Sequence, residues 1–298
     1  MNTEHIAIFL NLANTLSFSK TAMNMGISQS AVSQDISSIE KELGTELFYR
    51  TRKKVALTKA GKAFYEDILP VYQDYIDTFR KLEAMNEQNH IEIHLGFSGT
   101  PYEIFALNEV IKKYRREHPK VQFVVNHNSP QELAAKLSEG ILDIAFLTKD
   151  CLSDSGLKFK ALTQGKYCAV FADGVPVPAS KSLKHLDLAK EKVLFLDENI
   201  CSPQQAALQK ALDQDQPQLS VINANSIAAE FFNLNAGLGI GILPSTALPK
   251  LARVTCLPLS GKNEVTYGVA ISKHPFSNLV VDFFNWLDAE QMPETIAY

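Results

Sequence analysis

The sequence predicts a multidomain α+β and α/β chain: an N-terminal winged helix-turn-helix, a long linking helix and two C-terminal α/β units. Three observations predict it. Apolar residues keep a helical period up to about Met85, an acid-free basic run interrupts them from Leu47 to Lys62, and beyond Ile91 short apolar strands alternate with helices. At 298 residues, 46% of them hydrophobic, the chain has material for two or three packed domains. No apolar run approaches the ~20 residues needed to span a bilayer, and no basic stretch followed by a hydrophobic core and cleavage site opens the chain, so a cytoplasmic location without a membrane partner is expected. Cys151, Cys168, Cys201 and Cys256 have neither CxxC spacing nor nearby histidines. They read as reduced, mostly buried thiols, with redox sensing by two of them as the alternative. Neither a metal nor a cofactor is expected. The net charge of -4 argues against wholesale coating of nucleic acid and leaves room for a local basic footprint.

In chain order, Ile6, Phe9, Leu10 and Ala13 form the apolar stripe of a first helix. A second is expected to start at the capping residue Ser19, to turn Ala22 and Met23 inward and to end at Gly26. The third spans Ser28 to Leu43. Ser28 is its N-cap, and Val32, Ile36, Ile39 and Leu43 face a core, leaving Gln29, Ser30, Ser33, Gln34 and Ser37 outside. Short hydroxyl and amide side chains of this kind can lie against base edges, whereas the alternative reading is a solvated amphipathic face. The basic run then decides for nucleic acid. Leu47-Phe48 and Val55-Ala56-Leu57 read as two strands joined by an Arg52-Lys53-Lys54 tip, a wing that lays cations on phosphates or into a minor groove.

The stretch from Phe9 to Gly61, FLNLANTLSFSKTAMNMGISQSAVSQDISSIEKELGTELFYRTRKKVALTKAG, resembles the N-terminal domain of the LysR-type transcriptional regulators. The resemblance implies a sequence-specific DNA-binding regulator in which Gln29, Ser30, Ser33 and Gln34, opening at Ser28, meet base edges. It further implies that Arg50, Arg52 and Lys53, with Lys54 at the tip, hold the backbone or minor groove. Ser30 stands where the family commonly has proline and Gln34 where it often has arginine, so the operator sequence is this chain's own.

Thr58 can cap the next helix, which runs to about Met85. Phe64, Ile68, Val71, Tyr75, Phe79 and Leu82 repeat along it at close to coiled-coil spacing, interrupted by Pro70. A second subunit would bury that seam, as the family's linker helix does, giving a homodimer that pairs again into a tetramer on a palindromic double-stranded operator, with RNA polymerase as a further partner. The alternative is a seam packed on the chain's own effector domain. The expected boundaries are 1–58 for the winged domain, 59–89 for the linker and 90–298 for the rest, which divides into 91–162 plus 267–298 and 163–266.

Beyond the linker, strands are expected at Ile91–Phe97, Val121–Asn126, Asp143–Leu147, Tyr167–Phe171, Val193–Leu196, Leu219–Ile222, Ile240–Leu243 and Val265–Ile271. Helices are expected from Pro101 to about His118, from Ser129 to Gly140, opening near Pro203 and Ser226, and from Asn278 to Asp288. The phrase Ala236 to Pro244, AGLGIGILP, and this alternation are similar to the family's effector-binding domain, itself like periplasmic solute-binding proteins. The glycines at 237, 239 and 241 follow a helix and enter a strand, the wrong order for a dinucleotide fingerprint. They read as a helix end and close backbone packing. Ligand sites in such sheets lie beyond the carboxyl ends of strands. Ser98, Gly99 and Thr100, Asn128 and Ser129, Thr148, Ser202 and Asn225 stand at those ends and before helices, a set expected to take a small anion, a carboxylate or amino-acid-like molecule. Only Lys149 supplies a neighbouring cation. With no GxSxG, HExxH or Walker loop, and no paired His and Asp, an enzyme is not expected. The basic wing argues against an exported solute binder.

Overall fold

A computed structural model of the chain describes residues 2–50, 55–86, 91–152, 156–177, 192–259, 261, 263–272 and 278–296; the side chains of 77, 79–86, 91 and 289 are also outside this set. The chain divides into two compact units, Met1–Asn86 and Glu87–Tyr298.

In the first unit, α1 (Thr3–Thr15), α2 (Phe18–Met25) and α3 (Gln29–Leu43) precede the strands β1 (Phe48–Arg50) and β2 (Val55–Leu57) and the helix α4 (Lys59–Asn86). Phe9, Leu12, Val32, Ile36, Ile39 and Phe48 form its core. Three details differ from the sequence expectation. The N-cap of α2 is Ser17, whose hydroxyl accepts from the Lys20 amide, and not Ser19. Ala22 is buried as expected, but Thr21 is fully buried beside it and Met23 is 76% exposed. Leu43, the last position of the α3 stripe, is 40% exposed, and Leu47 beyond the left-handed Gly44 cap is buried at 1% instead. β1 and β2 pair antiparallel with Phe48 opposite Leu57 and Arg50 opposite Val55; the Arg52-Lys53-Lys54 tip between them lies outside the described residues.

Thr58 caps α4: its hydroxyl accepts from the Gly61 amide at 2.9 Å and donates to the Glu46 carbonyl at 2.7 Å. α4 runs unbroken through Pro70. Phe64 and Ile68 do not await a partner. They pack on the core of their own DNA-reading unit, Phe64 edge-on to Phe9 at 4.9 Å between ring centres. Val71 and Tyr75 are exposed, whereas Phe79 and Leu82 fall among the side chains outside the described set.

The second unit is one nine-stranded sheet. Its first half joins β3 (Ile91–Phe97), β4 (Val121–His127) and β5 (Ile144–Thr148), with α5 (Pro101–Glu117) and α6 (Pro130–Ser138) between them. Its second half holds β7 (Lys192–Leu196), β8 (Ser220–Ala224) and β9 (Ile240–Pro244), with α7 (Pro203–Asp215) and α8 (Ile227–Asn235). β3 pairs parallel with β4 and β5, and β7 with β8 and β9, the right-handed βαβ grammar in both halves. Two long strands cross between the halves: β6 (Lys158–Ala172) and β11 (Glu264–Ile271), antiparallel from Lys166–Glu264 to Lys158–Ile271 with a register shift at Tyr267/Gly268. The sequence reading places only Tyr167–Phe171 in a strand here. The charged Lys158, Lys160 and Lys166 mask the stretch from Lys158 to Lys166, in which only Leu162 and Gly165 are buried and which β11 pairs into a strand. β10 (Val254–Pro258), which pairs with β6, is not anticipated in the sequence at all. α9 (Asn278–Trp286) returns to the first-half core through Val280 and Phe283. Gly237 has φ +68°, and a Cβ on Gly239 would lie 2.8 Å from the Lys192 carbonyl oxygen, in keeping with a helix end followed by close backbone approach.

Candidate functional site

The polar face of α3 is built by a good N-cap and a stripe buried behind it. Ser28 accepts from the Ala31 amide at 3.1 Å and lies 2.8 Å from the Ser30 hydroxyl, while the Ser19 hydroxyl donates to the Gln29 amide oxygen at 3.2 Å. Gln29, Ser30, Gln34 and Ser37 are exposed and Ser33 is half-buried. Sequence reasoning passed over Glu40, the residue that joins this helix to the wing. One of its oxygens accepts from the amides of Leu47 at 2.8 Å and Phe48 at 3.2 Å, and the other meets the Arg50 guanidinium at 2.5 Å. Arg50 also lies 5.4 Å over the Phe18 ring. Its expected role on the nucleic-acid backbone is therefore shared with bracing β1 against α3. Nothing in the sequence singles Glu40 out, because Asp35 and Glu42 lie on the same helix and Glu46 stands nearer the basic segment.

In the second unit, Ser98, Thr100, Thr148 and Ser202 line one cavity together with Tyr167, Tyr267, Cys201, Gln205 and Glu230 and an apolar wall that includes Leu147, Ile227 and Phe231. It encloses about 60 Å³ of free space. Four expected residues are not part of it. Gly99 has φ +84° and a Cβ there would meet the His127 ring at 2.7 Å, so it shapes the turn and lines nothing. Asn128 and Ser129 lie outside the cavity lining, and Asn225 lines a separate open groove with Asp197, Glu198 and Asp213.

Three of the residues expected to donate to an anion, Ser98, Thr100 and Ser129, are occupied by the chain's own carboxylates, whereas Thr148 and Ser202 are not. One oxygen of Glu103 accepts from the Ser98 amide (3.1 Å) and hydroxyl (2.7 Å) and from the Thr100 amide (2.9 Å) and hydroxyl (3.1 Å). Its other oxygen accepts from the Tyr267 hydroxyl at 3.2 Å. Burial pushes the Glu103 carboxyl up despite these donors. Glu132 closes the same box on Ser129, and Asp150 accepts from the Gln204 amide at the start of α7 at 2.9 Å. Thr100-x-x-Glu103 and Ser129-x-x-Glu132 are capping boxes that the sequence spells out. Ser202 caps α7 and lies 2.8 Å from the Tyr167 hydroxyl.

Glu230, in the first turn of α8, is fully buried, and neither carboxylate oxygen has a hydrogen-bond partner. Burial alone pushes its carboxyl up to about 8. Burial also holds the Cys201 and Cys151 thiols up at about 12, the protonated and unreactive form.

A winged helix followed by a two-half sheet with a cavity between crossing strands defines a regulator with separate reading and sensing units. The chain belongs to the LysR family of bacterial helix-turn-helix regulators: residues 3–62 match its regulatory helix-turn-helix protein family and residues 86–291 its substrate binding domain family. It is a DNA-binding transcriptional regulator with an effector-binding domain. It is 27% identical over 249 residues to the uncharacterized HTH-type transcriptional regulator YnfL of Escherichia coli K12, covering 83% of this chain and 84% of that one. To the transcriptional dual regulator OxyR of the same strain it is 26% identical over 254 residues, 84% of this chain and 81% of that one. Among solved structures, full-length OxyR from Pseudomonas aeruginosa shares the fold with a TM-score of 0.53 at 18% identity, covering 99% of this chain and 98% of that one. The structure of CbnR with its target DNA has a TM-score of 0.51 at 17% identity, covering 96% and 99%. No helix among the described residues is long and apolar enough to cross a membrane.

Proposed function

We propose that α3 reads a palindromic double-stranded operator through Gln29, Ser30, Ser33 and Gln34, opened by Ser28, while Arg50, Arg52, Lys53 and Lys54 hold phosphates or the minor groove. The observation that carries this reading is the exposed face of short polar side chains on α3, tied through Glu40 to a basic wing. CbnR, of like fold, has been captured on its target DNA. On this reading the boundaries at 58 and 89 separate reader, linker and sensor. An effector in the cavity lined by Ser98, Thr100, Thr148 and Ser202 shifts a population of subunit arrangements, and RNA polymerase reads the result. Within the effector expectation, the ammonium end of an amino-acid-like molecule is the part with a ready acceptor, because Glu230 lines the cavity without a partner.

The division of labour on DNA has a direct test. Replacing both Arg52 and Lys53 by Ala should weaken binding to all sequences alike and lower the salt slope by about one for each phosphate no longer neutralised. Gln34→Ala, at an exposed position, should cost about 1–3 kcal/mol at the specific site and little elsewhere. Titrations of operator and scrambled duplexes over a salt series check both. Equal loss of sequence preference in the two variants, with unchanged salt slopes, defeats the assignment.

Dimerisation through α4 rests on a narrower seam than the spacing implied. Phe64 and Ile68 serve their own subunit, so Val71 and Tyr75 begin the face left for a partner. Val71, at 58% exposure, tolerates a charge in the folded monomer. Val71→Asp should therefore shift a micromolar sample toward monomer in sedimentation while leaving its melting temperature in the monomer range intact. An unchanged oligomer distribution removes α4 from the interface.

A further inference from the structure

Glu230 is the buried acid for which the fold has no use. It sits in the first turn of α8 after the Ser226 cap, one residue beyond the position from which Glu103 and Glu132 complete the capping boxes of α5 and α6. Glu230 completes none; it lines the cavity, and both its oxygens are without partners. A buried polar group left unpaired costs stability that an apolar residue of the same size would not. The cavity surroundings say what would pair it. Among the described residues lining this cavity there is no Lys, Arg or His. Glu103 stands behind Ser98 and Thr100, and Asp150 takes the α7 amide. A second carboxylate entering here meets these acids, with only the Thr148 hydroxyl and the paired Tyr167 and Ser202 hydroxyls left to receive it. A cation with N–H groups meets a waiting acceptor, and its carbon skeleton meets Leu147, Ile227 and Phe231.

We propose that the cavity recognises a small primary ammonium group, held on the Glu230 carboxylate with its alkyl portion against the apolar wall. This deepens the effector reading of the cleft and rests on it. Glu230 then determines specificity by touching the ligand.

The proton count is part of the proposal. In the empty cavity burial raises the Glu230 carboxyl to about 8, so at pH 6 it carries a proton. An alkylammonium ion binds the carboxylate form, and each binding event below that pH releases one proton to solvent. Affinity should rise roughly tenfold per pH unit from 6 towards 8 and then level off. The other titratable groups facing this space are Tyr167 on β6, Tyr267 on β11 and Cys201 before α7. Burial pushes all three upward and keeps them protonated over that range. Glu103, behind Ser98, is raised as well, and a Glu230 variant separates the two.

Isothermal titration of the full-length chain with propylamine, propionate and propanol, from pH 6 to 8, tests the assignment. Propylamine should bind at least tenfold more tightly than the other two at pH 7.5. Glu230→Gln should reduce its binding at least tenfold and abolish the pH slope. Glu230→Met, which fills the same space without a polar oxygen, should abolish it also while raising the melting temperature, so that loss of binding is not loss of fold. Absence of propylamine binding, or binding indifferent to both variants, overturns the proposal. Preference for propionate overturns it too but leaves the cleft as the effector site, because propionate would then be bound there by other groups.

Discussion

Glu103→Ala should lower the stability of the effector-binding unit by about 4 kcal/mol, because removal of one buried acceptor strands a whole set of donors. The Ser98 and Thr100 amides and hydroxyls all converge on one oxygen of this fully buried side chain, and the Tyr267 hydroxyl on the other. Water can rescue some of these from the cavity side, but the amides at the start of α5 have nowhere else to donate. For a unit of this size the loss corresponds to a fall of roughly 8–15 °C in melting temperature. Glu103→Gln retains acceptor capacity on one oxygen and should lose less than half as much. Differential scanning calorimetry of wild type and the two variants measures the ladder. If Glu103→Ala melts within about 2 °C of wild type, the carboxylate is not the keystone of this turn. The consequence for function is that Thr100 and Ser98 are held rigid by the protein's own anion and present only acceptor lone pairs to the cavity.

Gly61→Ala should disrupt the DNA-binding unit by about 3 kcal/mol or more, and DNA affinity should fall with it. A Cβ at this position would stand 2.0 Å from the Leu47 carbonyl oxygen and 2.9 Å from the carbon of the same group. Both are backbone atoms of the segment leading into the wing, so no rotamer change relieves the clash. α4 must lift away from β1, breaking the bonds from the Thr58 amide to the Leu47 carbonyl and from the Thr58 hydroxyl to the Glu46 carbonyl. The informative control is Gly44→Ala. Gly44 has φ +67° with nothing within 4 Å of a built Cβ, so only the left-handed conformation is penalised, at about 1–2 kcal/mol. Thermal unfolding followed in the helical signal, together with operator titration, should rank Gly61→Ala well below Gly44→Ala. Equal effects would mean that the helix–wing junction relaxes more readily than the backbone geometry implies.

Much of this protein is written in local pattern. The α3 stripe, its Ser28 cap and the acid-free run predicted the reading unit, and the β11 and α9 return to the first core was expected from alternation alone. Local pattern fails where a residue's environment comes from distant chain. Ser17 is the α2 cap in place of Ser19, and Thr21 is buried where Met23 was expected, because α1 and α3 decide which face of α2 is covered. Phe64 and Ile68 fit a coiled-coil spacing and an intramolecular core equally well, and the wing and α1 decided between them. Asn225 precedes a helix just as Ser202 does, yet it opens onto a different groove.

The family, the helix-turn-helix with its basic wing and the two-half α/β sensor are legible in the residues alone, whereas the capping boxes at Thr100 and Ser129 read there as donors for a bound anion. Each of these is set by residues within a few turns of one another, through period, cap and charge run. Which acids are spent and which one waits depends on long-range contacts. Glu103 is consumed by its own turn and by Tyr267 from 164 residues away, whereas Glu230, on a helix whose pattern would suit a solvated acid equally well, is buried at the cavity wall without a partner. Burial is a property of what the rest of the chain brings to a residue, and desolvation by that distant chain turns an ordinary glutamate into one poised to accept a cation.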